Sequence, residues 1–240
     1  MVPLGQGPVS WHHGAMPEPP DEDHEGPAPE PVGVLAALPI ELGSLPSRAE
    51  AGMRRQGLEI HALELAQREV LVTACGVGLA AAAHGAAVLA AEGVRTLLVV
   101  GTCGGLRRGL RPGTLVHCAR AVQADLEVRG GRETEATLEL REAWQRVAGG
   151  EVGAFLSRDR MVRSPWARAG LLRAWPEAVS VDMETGAAFA VGARAGCRMA
   201  ALRVVTDRAG WGARQTFAKN VEGMAGGPAD AVEGLLLELS

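Results

Sequence analysis

Apolar residues in this chain fall into short, nearly continuous runs separated by stretches with helical spacing. The first run, 32–38, is closed by Pro39 and predicts a buried parallel strand leading into a helix with Pro in its first turn. Residues 58–65 alternate loosely and 70–75 are apolar, with the polar Gln67-Arg68-Glu69 between them, which predicts a hairpin. Gly76-Val77-Gly78 opens an alanine-rich helix to about Glu92, where Gly93 stops it. A central strand at 96–100, a glycine-rich turn at 101–105 and a strand at 114–122 follow. Further on, the pattern predicts helices at 134–147, 165–175, 183–195 and 217–239, and strands at 151–156, 178–181 and 199–205. This alternation predicts a single α/β domain, a mixed and largely parallel sheet flanked by helices on both faces. No solenoid period is present.

Composition changes the picture mainly at the N-terminus. A length of 240 residues suits one domain with a buried core. Residues 1–31 hold six acids, no Lys or Arg, and six prolines between Pro17 and Pro31, so the net charge of −4 splits into −6 for the tail and +2 for the remainder. Such a segment buries too little apolar surface to offset its ordering entropy, which predicts a disordered tail before a folded domain at 32–240. It has no basic stretch followed by an apolar one, and no apolar run suggests a membrane span. The four cysteines lack metal-ligand or disulfide-frame spacing, which points to a reducing, cytoplasmic setting and no metal. Basic residues are interleaved with acids, so a nucleic-acid surface is not expected.

Candidate chemistry gathers in two segments that bracket one helix: Ser180-Val181-Asp182-Met183-Glu184-Thr185-Gly186 and Arg203-Val204-Val205-Thr206-Asp207. Open α/β sheets bind ligands at strand carboxyl ends, so carboxylates at these two places can face one cleft. Asp207 could cap a turn or, buried and protonated, act as a general acid toward a leaving group. Glu184 at a helix start is favoured by the helix dipole, yet one carboxylate there can also accept hydrogen bonds from two vicinal ribose hydroxyls. Thr102 and the glycines of 101–105, Gly104 among them, offer donors to an anion or a polarised water. Gly76-x-Gly78-x-x-Ala81 matches a dinucleotide fingerprint but does not follow the first strand, so a tight turn is the better reading.

In this order, Glu41, the 101–105 turn, Val181-Asp182-Met183-Glu184 and Arg203 to Asp207 resemble the nucleoside phosphorylase and nucleosidase superfamily. Within it the chain is most like the methylthioadenosine/adenosylhomocysteine nucleosidases and the purine nucleoside phosphorylases. The resemblance implies cleavage of a purine N-glycosidic bond, hydrolytic in the first case and phosphate-dependent in the second, with an adenosine conjugate such as a hopanoid precursor as one candidate substrate of the second. A non-catalytic nucleoside binder is a third alternative. The resemblance gives Asp207 the acid role and Glu41 activation of water. It places Glu184 on the ribose diol, Met183 beneath the sugar, and Met161 and Val162 at the base, with Arg203 and Thr206 also matching. It implies a homodimer or higher homo-oligomer and no cofactor, phosphate being a co-substrate only in a phosphorylase. Asp182 stands where the family usually has Glu, and Val99 where the phosphorylases present an arginine.

Overall fold

Strand β1, Val32–Ala36, is buried along its whole length and lies between two parallel partners, β4 (Arg68–Ala74) and β5 (Thr96–Gly105). This is the placement a continuous apolar run demands, since both of its faces must be covered. A computed structural model describes residues 30–127 and 132–240, so the acidic tail lies outside the described residues apart from Glu30 and Pro31. The other strands are β2 (Ala51–Arg55), β3 (Leu58–Leu65), β6 (Leu115–Gln123), β7 (Glu133–Glu135), β8 (Glu151–Ser157), β9 (Ala178–Asp182) and β10 (Arg198–Asp207). Helices are α1 (Leu79–Ala91), α2 (Leu138–Ala148), α3 (Pro165–Ala174), α4 (Thr185–Arg194), α5 (Ala213–Met224), α6 (Gly227–Asp230) and α7 (Val232–Glu238).

The sheet is mixed. β3 joins β2 and β4 in an antiparallel meander at one edge, as the hairpin pattern required. At the other end β5, β10, β6, β8 and β9 pair in a closed circuit, because β5 is long enough to pair with β1 and then β9 as well as with β10. β5 pairs with β1 through Thr96–Val99 and with β9 at Gly104 and Gly105. Side chains alternate across β5: Leu97 and Val99 join one core cluster, which includes residues of α1 and α4, and Leu98 and Val100 join the other, which includes residues of α2 and α7.

Four expectations are corrected. Residues 101–105 are not a turn but the second half of β5; Gly101, at φ 137°, lets the strand bend and keep its ladder to β10. The helix expected after Pro39 is one 3₁₀ turn, Pro39–Leu42, ended by Gly43 at φ 55°. The start of the 134–147 helix is instead β7, paired with β6, and α2 begins at Leu138. The 217–239 helix is three pieces: Pro228, which cannot continue a helical ladder, sits in the first turn of α6 and separates it from α5, and Ala231 separates α6 from α7.

Candidate active site

The strand ends and the 3₁₀ turn converge on a cavity of about 370 Å³. Among the sequence-designated residues, Glu41, Thr102, Gly104, Met161, Val162, Met183, Glu184, Thr206 and Asp207 line it, and Arg203 lies fully buried beside them. The spacing argument therefore places both carboxylates of the two segments in one cleft.

Glu41 folds back over its own turn. Its Oε2 accepts from the backbone N–H of Ala37 (3.1 Å) and Leu38 (3.0 Å), and its Oε1 accepts from the Thr102 N–H (2.8 Å) and hydroxyl (2.7 Å). The Thr102 donors, expected to face an anion or a polarised water, are in the structure given to the Glu41 carboxylate. Gly101 is required at this place: a Cβ there would lie 2.7 Å from Arg203 Nη1 and 2.8 Å from the Glu41 carboxylate.

Glu184 caps the entry to α4 and is buried. Gly78 N–H, at the head of α1, donates to its Oε1 (3.1 Å), Met183 N–H to its Oε2 (3.3 Å), and Arg203 Nη2 lies 3.5 Å from Oε2. The fingerprint-like glycine turn thus presents its N–H to a carboxylate of the cavity. Burial raises the Glu184 pKa to about 7 against the opposing pull of Arg203, with Asp182 adding to the rise. Starting from 4.5, that is on the order of 3 kcal/mol against ionisation, so desolvation outweighs the ion pair.

Asp207 ends β10, where a register shift in the β10–β5 ladder turns it inward. It accepts from Ala209 N–H (2.8 Å) and the Thr206 hydroxyl (3.3 Å), and Asn220 Nδ2 ties down the Thr206 carbonyl (2.8 Å). Burial raises its pKa, opposed only by those two hydrogen bonds. Its side of the cavity is apolar, with Val162, Val181 and Ala209 belonging to one cluster.

The family model described as Phosphorylase superfamily matches residues 31–238. The chain belongs to that superfamily. It is an enzyme of the class that cleaves nucleoside N-glycosidic bonds. Its fold is similar to 5′-methylthioadenosine/S-adenosylhomocysteine nucleosidase from Neisseria meningitidis in complex with methylthio-immucillin-A: TM-score 0.82, 24% identity, covering 87% of this chain and 99% of that one. Futalosine hydrolase of Helicobacter pylori gives TM-score 0.81 and 20% identity, covering 86% and 97%. The Streptococcus pneumoniae nucleosidase, with the transition-state inhibitor MT-ImmA, gives 0.82 and 22%, covering 88% and 100%. No curated protein matches the chain.

Within this superfamily member, sequence reasoning missed Phe217, Val77, Leu38 and Cys103, which also line the cavity. Phe217 was visible only as a helix start. Asp182 lines it as well, and accepts from Ser157 Oγ, Glu184 N–H and Thr185 N–H while pairing with Arg203 Nε at 3.5 Å. Cys75, next to the Glu184 side, is pushed up to about 12 by burial and is no nucleophile at neutral pH. Among the described residues no group of three or more His, Cys, Asp or Glu is arranged to hold a metal ion, and no helix is long and apolar enough to cross a membrane. Arg48 pairs with Glu233 (2.8 Å) and Arg107 with Glu151 (3.0 Å), and neither lines the cavity; Val99 is buried in the core. Chemically, the cavity offers a carboxyl with a raised pKa in apolar surroundings, opposite hydrogen-bonded carboxylates grouped around one buried guanidinium.

Proposed function

We propose that this enzyme hydrolyses the N-glycosidic bond of a purine nucleoside, in the manner of the methylthioadenosine/adenosylhomocysteine nucleosidases. One observation carries the choice of water over phosphate: among the described residues, four acids (Glu41, Asp182, Glu184, Asp207) line the cavity and no Lys, Arg or His does. A phosphate dianion held there would face like charges without a lining cation, whereas water needs only an acceptor for its proton.

In this reading Asp207 gives its proton to the purine N7 as the bond breaks, and its burial keeps that proton available. Glu184 accepts from the 2′- and 3′-hydroxyls and steadies the oxocarbenium-like sugar, with Met183 packed beneath it. Met161, Val162 and Phe217 hold the base and its surroundings by apolar contact. Glu41 takes the proton of the attacking water. Its four hydrogen bonds fill the acceptor sites of both oxygens, so one donor must yield, and the Thr102 hydroxyl is the only one free to rotate. The chemistry calls for no cofactor, and a cytoplasmic homo-oligomer with a small-molecule substrate fits this reading.

The test is product identification from adenosine, inosine, methylthioadenosine and adenosylhomocysteine, with and without phosphate. Free pentose, formed at a rate indifferent to phosphate, is the expected result. Sugar 1-phosphate formed at a phosphate-dependent rate would replace hydrolysis by phosphorolysis, and binding without any product would leave a nucleoside-binding protein.

A further inference from the structure

Arg203 is suspended between two carboxylates. Its Nε lies 3.5 Å from Asp182 Oδ2 and its Nη2 3.5 Å from Glu184 Oε2. A closed guanidinium–carboxylate hydrogen bond is about 2.7–2.9 Å. The remaining donors are partly used, Nη1 on the Thr102 carbonyl (3.3 Å) and Nη2 on Thr185 Oγ1 (3.1 Å), while Nε has no hydrogen-bond partner. With the side chain fully buried, water cannot screen its charge, so the guanidinium's position depends on the acids around it.

Asp182 is the fixed member of this set. Its Oδ1 accepts from the Ser157 hydroxyl (2.5 Å) and from Glu184 N–H (3.2 Å) and Thr185 N–H (3.3 Å), and its Oδ2 accepts from the Thr185 hydroxyl. Ser157 Oγ in turn accepts from Gly186 N–H (2.7 Å). The carboxylate is therefore anchored to the end of β8 and the first turn of α4 at once.

We infer that Asp182 is a positioning residue which, by holding the Nε side of Arg203, keeps the guanidinium from closing on Glu184 and so leaves Glu184 free to accept from the two ribose hydroxyls. The inference rests on the diol role proposed above for Glu184. Without the Asp182 charge, Arg203 has Glu184 as its nearest acceptor with unused capacity, since Glu41 already takes four hydrogen bonds. A bidentate pair would then occupy both oxygens that the diol needs. The groups facing Glu184 are Arg203 on β10, Asp182 on β9, Glu41 on the 3₁₀ turn, Cys75 beyond β4 and the Gly78 N–H heading α1. Asp182 and Glu41 favour its protonated form and Arg203 and Gly78 oppose it, so neutralising Asp182 moves its titration to lower pH.

The experiment compares wild type with Asp182→Asn, which keeps shape, and Asp182→Ser, which keeps a capping hydroxyl. The Glu184 carboxyl is followed by ¹³C NMR in protein labelled at glutamate, its signal assigned with Glu184→Gln. In folded variants we expect its midpoint to fall by about one pH unit. For a ribonucleoside KM should rise about tenfold with a smaller change in kcat, and a 2′-deoxynucleoside should be less affected. Loss of a helix cap alone would lower the melting temperature without moving that midpoint. An unmoved Glu184 titration in a folded variant would overturn the inference, as would failure of both variants to fold, which makes Asp182 a folding residue. Because the NMR readout needs no turnover, a wild type that cleaves no nucleoside would sink the proposed function and still leave Asp182 tested.

Discussion

The two ends of the cavity surround their carboxyls differently, one with a buried cation and one without. Around Arg203, Glu41 accepts four hydrogen bonds, and Asp182 and Glu184 share one buried cation. At the β10 end, Asp207 accepts two hydrogen bonds beside the apolar Val162, Val181 and Ala209, and no cation contributes to its titration. The first gathers acids around one cation, which offsets only part of the burial that lifts Glu184 to about 7; the second has no cation to offset burial, only two hydrogen bonds. Glycosidic bond cleavage needs this asymmetry, since positive charge develops on the sugar and negative charge on the leaving base.

The largest break in this contrast is expected from removing the transferable proton. Asp207→Asn should lower kcat on a purine nucleoside by about 10²–10⁴-fold while leaving substrate affinity near wild type, measured by steady-state kinetics and calorimetry. Glu41→Gln should follow with a loss of about 10²-fold in hydrolysis; turnover within a few-fold of wild type would move water activation elsewhere. Glu184→Gln should raise KM and lower kcat together, by roughly tenfold overall, and erase the preference for ribo over 2′-deoxyribo substrates.

Much of this was legible in the chain because strand ends in an α/β sheet are marked by where apolar runs stop. Asp207 and Glu184 could be placed that way, and the resemblance supplied Glu41. The coupling between them was not legible. Thr102 meets Glu41 across 61 positions and Gly78 meets Glu184 across 106, so no local pattern encodes either bond. The 101–105 segment misled because glycines signal turns, whereas here a bent strand passes close to two charged groups that leave no room for a Cβ. β2 was missed since Ala51–Arg55 is mostly exposed and carries no apolar alternation. Asp182, noted only for its length, emerges as the hub that joins Ser157, Thr185 and Arg203.

Smaller effects sharpen the same comparison through pH. Glu184 must be ionised to accept from the diol, and its pKa is raised to about 7, so kcat/KM should climb as pH rises through about 7 and that acid limb should vanish in Glu184→Gln. Asp207 is also raised in the folded chain, which therefore binds more protons than the unfolded chain between the two values, and stability falls as pH rises through that window. Asp207→Asn removes this penalty and should melt a few degrees above wild type at pH 8, with the gap closing at pH 4; calorimetric scans at both pH values check the sign.

In the proposed mechanism Asp207 serves the leaving base rather than the fold. Its most direct test compares wild type with Asp207→Asn on a purine nucleoside and on a riboside whose leaving group departs without protonation, such as a nitrophenyl riboside. The expected result is the full loss of about 10²–10⁴-fold on the purine nucleoside and near-wild-type turnover on the activated riboside. Equal losses on both substrates would contradict it.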